Sequence, residues 1–235
     1  LLSFSDLYLL CCSRLHEWSA EEPNHSRSIR AEGTLLFCYM LLRRNAAFRD
    51  FFVARTDMDL FVLPLLENLY IEQQGGTADS ALGRLHCVLL SLLGFLSEDS
   101  SFIQACLPLT VEQPAWLNEC RVNSLRLSDL LAVVLVRVAV RLMSVSGSID
   151  FYVLSLCLGI LANCVPELRD MHSYTARRLL ILYELLFKRY RRAFSLEVDA
   201  SLKRHRRIIS PSRSLSSSTS SASSASSASS ASSAS

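Results

Sequence analysis

Residues 48 to 70, FRDFFVARTDMDLFVLPLLENLY, leave the chain few choices of fold. They join a phenylalanine-led helical segment, a hard stop, a capping signal and a second apolar segment. Thr56 is read as an N-cap, because its hydroxyl can accept from a free backbone N–H of the next turn. Asp57 and Asp59 put negative charge at the positive end of the helix dipole. Apolar residues then recur at Leu60, Val62, Leu63, Leu66, Leu69 and Tyr70, a helical rather than an alternating spacing. Pro64 removes one helix hydrogen bond and is expected to kink or restart the helix.

The same grammar runs through the chain. Leu1 to Trp18 reads as a helix with Asp6 near its start, followed by a polar loop over 20 to 28. Ile29 to Arg43 is the next helix, ended by Asn45. QQGGTAD at 73 to 79 is a break in which Gly75 and Gly76 supply backbone freedom. Ser80 to Leu96 is helical, and Ser97 ahead of Glu98 and Asp99 reads as a cap for a short helix ending near Leu107-Pro108. Residues 108 to 120 read as a loop or irregular helix. Ser128-Asp129 starts a long apolar helix to about Met143, Ser148 to Val165 forms another stopped before Pro166, and a last one begins near Ser173. Only 7 glycines and 6 prolines punctuate 235 residues, too few for the tight turns of an all-β fold. The expectation is seven to nine helices and no convincing strand: an all-α helical array of armadillo or HEAT type, an α-solenoid, over residues 1–207. Helix pairs recur every 40 to 50 residues without a crisp period.

No motif for catalysis is present: no GxSxG, no phosphate loop, no GxGxxG and no HExxH. The carboxylates cluster where helix starts want them. The five histidines are scattered, and the 8 cysteines show no CxxC pair and no zinc spacing. Most cysteines lie inside apolar runs, as Cys38 does in LLFCYM, and read as buried small hydrophobes suited to a reducing compartment. No enzyme activity, cofactor or metal site is expected.

A membrane hairpin at 128–166 is the first alternative. The uncharged run after Asp150 is 16 residues, short of the roughly 20 a spanning helix needs. Arg137 and Arg141 interrupt the other arm, which is costly in lipid. Spaced i, i+4, those arginines either lie at an exposed helix edge or meet an acidic group on a neighbouring helix.

The strongest charge feature runs from Lys188 to Arg207. Lys188, Arg189, Arg191, Arg192, Lys203, Arg204, Arg206 and Arg207 face only Glu197 and Asp199, a local net of +6. Three readings remain: a solvated helix end complementing its own dipole, contact with an anionic membrane or a protein partner, or a nuclear signal on an armadillo-type adaptor. Nucleic-acid binding is not expected, because the rest of the chain carries 16 basic against 20 acidic residues. Residues 208–235, ending in repeated SSA, cannot bury enough apolar surface to order and are expected to form a disordered tail.

Four collinear blocks carry a family resemblance: residues 48–70, LLSLLGFLSEDSSF at 89–102, the apolar helix with an embedded arginine at 130–141, and CLGILANCVPELRDMHSYTARRLLILYELLFKRY at 157–190. Together they resemble the dymeclin family over about 48 to 192. The resemblance implies a cytoplasmic, helical, non-enzymatic protein peripherally associated with the Golgi, acting in Golgi organisation and vesicle traffic. It would present helix faces to protein partners. The family pattern includes N-terminal myristoylation on a glycine, which no residue here matches. An internal piece, or an aberrant gene model, of a longer dymeclin-like protein is therefore expected.

Overall fold

The computed structural model describes residues 3–19, 25–71, 80–119, 123–144 and 151–209. They form nine α-helices and a two-stranded antiparallel ribbon, so the fold is all-α. The helices are α1 (Phe4–Ser19), α2 (His25–Arg44), α3 (Ala46–Val53), α4 (Asp59–Ile71), α5 (Ser80–Ser97), α6 (Ser100–Cys106), α7 (Leu127–Ser144), α8 (Phe151–Cys164) and α9 (Ser173–Ile209). The chain divides into two compact units, Leu1–Leu186 and Phe187–Ser235.

Local chemistry explains several of the helix starts. Asp6 and Ser3 close a reciprocal box at the start of α1: the Ser3 backbone N–H donates to Asp6 Oδ2 at 2.9 Å, and the Asp6 N–H to Ser3 Oγ at 3.1 Å. Asn45, expected to end α2, also caps α3 by accepting from the Phe48 N–H at 3.0 Å. Asp99 does the same for α6 through the Ser101 N–H at 2.9 Å. Ser97 is therefore not the cap. It closes α5, buried, donating to the Gly94 carbonyl and accepting from Asn163.

The expected Thr56 cap is also displaced. The first residue of α4 is Asp59, two positions too late for Thr56 to cap it. A longer-range contact joins the local bonds in this segment. Tyr8 of α1 donates to the Asp57 carbonyl at 2.7 Å, and Arg55 grips the Asp57 carboxylate with two bonds of 2.7 and 2.6 Å. The Arg55 guanidinium also lies over the Tyr8 ring, 4.1 Å from its centroid. Pro64 sits inside α4 without restarting it. The buried Asn68 amide donates to the Pro64 carbonyl at 2.7 Å and to that of Leu15 in α1 at 3.3 Å.

Within the first unit, each of the first five helices packs on the one three places along: α1 on α4, α4 on α7, α2 on α5, α5 on α8, and α3 on α6. Cross-contacts of α1 with α2 and of α7 with α8 tie these rows together. Helix α4, and α7 from Leu127 to Val136, are buried on nearly every side, which is why these stretches are mostly apolar all round rather than striped. An aromatic group of Phe4, Tyr8, Phe48, Phe51, Phe52 and Phe61, with ring centroids 5.0 to 6.5 Å apart, joins α1, α3 and α4. The phenylalanines of the FRDFF segment are thus core, while Asp50 faces out.

Residues 108 to 120 are not simply loop. Thr110–Glu112 (β1) pairs with Ser124–Arg126 (β2), Val111 opposite Leu125. The Leu127 and Ser128 N–H groups bond the Leu109 and Leu107 carbonyls at 2.8 and 3.1 Å, closing the ribbon where α7 begins. Three-residue strands give too short an alternation to stand out in sequence. Among the described residues, no single helix is long and apolar enough to cross a membrane; the apolar pair α5–α6 is bent by 96°. The expected break at 73–79 and the Ser/Ala-rich tail from 210 onward lie outside the described residues.

Candidate interaction surface

Two polar features stand out: a partly buried ionic cluster in the first unit and the basic segment of α9. The ionic cluster centres on Glu119, in the loop between β1 and β2. Its carboxylate accepts from Arg137 of α7, from Arg178 Nη2 of α9 at 3.1 Å, and from the Tyr174 hydroxyl at 2.9 Å. The Arg137 guanidinium lies 4.3 Å from the Tyr70 ring centroid, and Tyr70 meets Trp116 at 5.2 Å. Arg137 therefore does meet an acidic group, but one supplied by a loop rather than a neighbouring helix. Sequence reasoning missed Glu119, since nothing local distinguishes it from any loop carboxylate.

A second tie reinforces the first. Buried Asp129, placed at the start of α7 by its dipole, accepts from the His172 backbone N–H at 2.9 Å. His172 in turn accepts at Nδ1 from the Tyr174 N–H at 3.2 Å, so it serves as the N-cap of α9. Two carboxylates thus fasten the ribbon loop and the first turns of α9 to α7. Charges held this way position elements.

The thiols tell the same story. All seven cysteines in the described residues are free, and all but the half-buried Cys87 are buried; Cys120 lies outside those residues. Burial pushes Cys12 up to about 11, and Cys106, Cys157 and Cys164 up to about 12. Cys11 and Cys38 share a hydrogen bond that holds Cys11 low and Cys38 high. Among the described residues, no group of three or more His, Cys, Asp or Glu could hold a metal ion.

The eight predicted contact residues all fall on α9. Lys188, Arg191, Arg192, Lys203 and Arg204 are exposed, and Arg189 is half-buried. Arg206 and Arg207 lie in the helix, but their side chains fall outside the description. The helix does not merge them into one patch: Arg192 and Lys203 are roughly 16 Å apart in helical rise. What joins the two clusters is an apolar stripe that sequence reasoning did not single out. Phe187, Tyr190, Phe194, Val198 and Leu202 recur at steps of three and four and are all exposed. Its period of three and four lies within the charge run of the sequence.

The described residues thus define an all-α protein with an exposed basic helix segment and a partly buried ionic cluster that holds elements together. The family model described as dymeclin, the Dyggve-Melchior-Clausen syndrome protein, matches residues 2–232. This chain belongs to the dymeclin family. It is 32% identical to dymeclin of Rattus norvegicus over 159 residues, covering 68% of this chain and 22% of that protein. It is 28% identical to dymeclin of Gallus gallus over 189 residues, covering 80% and 25%. With dymeclin of Dictyostelium discoideum it shares 30% identity over 177 residues, covering 75% and 18%. The matched region therefore spans a quarter or less of each of these curated relatives. No solved structure matches the chain.

Proposed function

We propose that this chain acts as a non-enzymatic scaffold of the dymeclin type, in Golgi organisation and secretory vesicle traffic. Membership of the dymeclin family over residues 2–232 is the observation that carries this reading. The packing of each of the first five helices on the one three places along supports an armadillo-like array, since such a step lets successive units extend one core and present faces in series. Protein partners would bind those faces. The basic residues of α9 would make peripheral contact with the anionic cytoplasmic surface of the Golgi membrane, each charge near the headgroups being worth about 1 kcal/mol. The buried free thiols fit a cytoplasmic, reducing address.

Imaging the tagged protein beside Golgi and endoplasmic-reticulum markers tests the proposal. A compact juxtanuclear pattern overlapping the Golgi marker is expected. A reticular pattern would favour the membrane-hairpin alternative, and nuclear accumulation the adaptor alternative. The hairpin is disfavoured by α7, which is buried against protein along nearly its whole length rather than presenting a lipid-facing surface.

A further inference from the structure

The distal part of α9 is a helix without a core of its own. Residues 190–205 are exposed on every side, yet they carry large apolar groups: Tyr190 is 68% exposed, Phe194 57% and Leu202 55%. A helix exposed all round gains little from packing, and its apolar side chains in water give nothing back. These groups are not scattered. At 100° per residue, Tyr190, Phe194, Val198 and Leu202 fall within an arc of about 120°, while Arg192 and Lys203 lie on the other side of the helix. Arg191 falls within the apolar arc, its guanidinium 5.9 Å from the Phe187 ring centroid, and Arg204 borders it; long basic side chains in such places can lie along apolar surface and send their charge outward. Leu196 departs from the pattern, falling among the basic residues.

We infer that this segment is an in-plane membrane helix: the Tyr190, Phe194, Val198 and Leu202 stripe enters the headgroup boundary of a bilayer containing anionic phospholipid, and the flanking Lys and Arg pair with its phosphates. The inference rests on the proposed Golgi-surface role and names the chemistry of its contact. Charge complementarity selects the occupant. The local net of +6 repels a second copy of the same segment and matches an anionic surface. Aromatic and aliphatic groups on one face with Arg and Lys on the other are the composition that holds a helix in the plane of an interface. Charge alone would leave the stripe in water; insertion accounts for both halves of the pattern.

The test is flotation of the full chain with vesicles of phosphatidylcholine alone and of phosphatidylcholine with phosphatidylserine, at low and physiological salt. Recovery is expected with the anionic vesicles and not with the neutral ones. Phe194→Ser with Leu202→Ser should lower partition about tenfold for each residue, with the thermal melt of the chain unchanged. Arg192→Gln with Lys203→Gln should weaken binding and flatten its salt dependence. Phe194→Trp gives a readout independent of affinity: brominated lipid should quench added emission that the parent chain lacks. Equal recovery on both vesicle types, a stripe variant that floats as well as the parent, or absence of added quenching would each overturn the inference. So would failure to float while soluble polyglutamate binds the chain, which would assign the face to an acidic protein. Golgi localisation that persists while vesicle binding fails would sink this inference alone; loss of Golgi localisation with vesicle binding intact would count against the scaffold reading instead.

Discussion

Helix α7 and the distal part of α9 are both long helices rich in large apolar side chains, and they meet opposite fates. In α7 nearly every position from Leu127 to Ala139 is buried, with Arg137 held by Glu119 and the Tyr70 ring. In α9 beyond residue 190 every described side chain is exposed. The difference lies in the polar residues. A helix hydrophobic on all sides has no solvent face and must be enclosed; one with a single apolar arc and a basic remainder can present that arc to another phase. Hydrophobicity says that a surface will be covered, and the placement of charge says by what.

The sharpest separation of the two regions is at alkaline pH. The raised thiols Cys12, Cys106, Cys157 and Cys164 all lie in the first unit, and none lies between 187 and 209. Folding keeps these thiols neutral, so their contribution is complete below the ordinary thiol range near 9 and is lost as pH climbs toward 12. Each such thiol withdraws about 1.4 kcal/mol per pH unit across that window. Denaturant unfolding from pH 8 to 11 should show a steep loss of stability, relieved in part by Cys157→Ala. A flat profile would mean that the thiols reach water in the folded state. At pH 8 a thiol at about 12 is ionised to roughly one part in ten thousand, so half-buried Cys87 should be alkylated well before Cys106, Cys157 or Cys164.

Substitution draws the same contrast. Phe52 is fully buried and packs edge-on to Phe61 at 5.0 Å and Tyr8 at 5.4 Å. Phe52→Ala should cost about 3–5 kcal/mol in denaturant unfolding. Phe194→Ala, with the same atoms removed, should stay within about 0.5 kcal/mol in the absence of membrane. Comparable losses from the two would show that α9 has an apolar partner within the isolated protein.

How much of this was legible depends on how local the deciding contact is. The caps at Asn45 and Asp99 sit beside the groups they satisfy, and the helix starts near Leu127 and Ser173 follow from Asp129 and the residues before them. The Thr56 cap failed because α4 starts only at Asp59, after a turn in which Tyr8, 49 residues upstream, bonds the Asp57 carbonyl and Arg55 the Asp57 carboxylate. Glu119 went unnoticed because its partners, Arg137 and Arg178, come from two other elements. The three-helix step left no sequence period for a similar reason. Residues 54–58 link α3 to α4, whereas 107–126, ribbon included, link α6 to α7, so equivalent helices drift out of register. The tertiary contacts recur while the spacing does not.

The ionic cluster offers a middle-sized effect. Glu119→Gln keeps the shape but leaves two partly buried guanidinium groups with a neutral partner, at a cost of about 2 kcal/mol. Arg137→Met in the same background should restore part of the loss, because it removes one of the two stranded charges. A double-mutant cycle read by denaturant unfolding measures the coupling. Additive changes would mean that Glu119 serves Arg178 and Tyr174 rather than Arg137, and that α7 is fastened by apolar packing alone.

The smallest effect is at acid pH and concerns the segment that marks the chain most strongly. Arg55, by two hydrogen bonds, holds the Asp57 carboxyl below the ordinary carboxylate range. A depressed folded-state value means that the pair contributes above the unfolded-state value near 3.8 and that the contribution disappears as pH falls below it. The pair is about a third open to water on the aspartate side, so the effect should be less than about 1 kcal/mol. Asp57→Asn should flatten the acid limb of the stability profile between pH 5 and 2 by that amount and leave the neutral region nearly unchanged, as the Tyr8 bond goes to the backbone carbonyl. If Asp57→Asn instead lost several kcal/mol at pH 7, the Arg55 stack on Tyr8 would depend on the ion pair. The opening motif would then be held by charge, and the aromatic group around Phe52 would be its consequence.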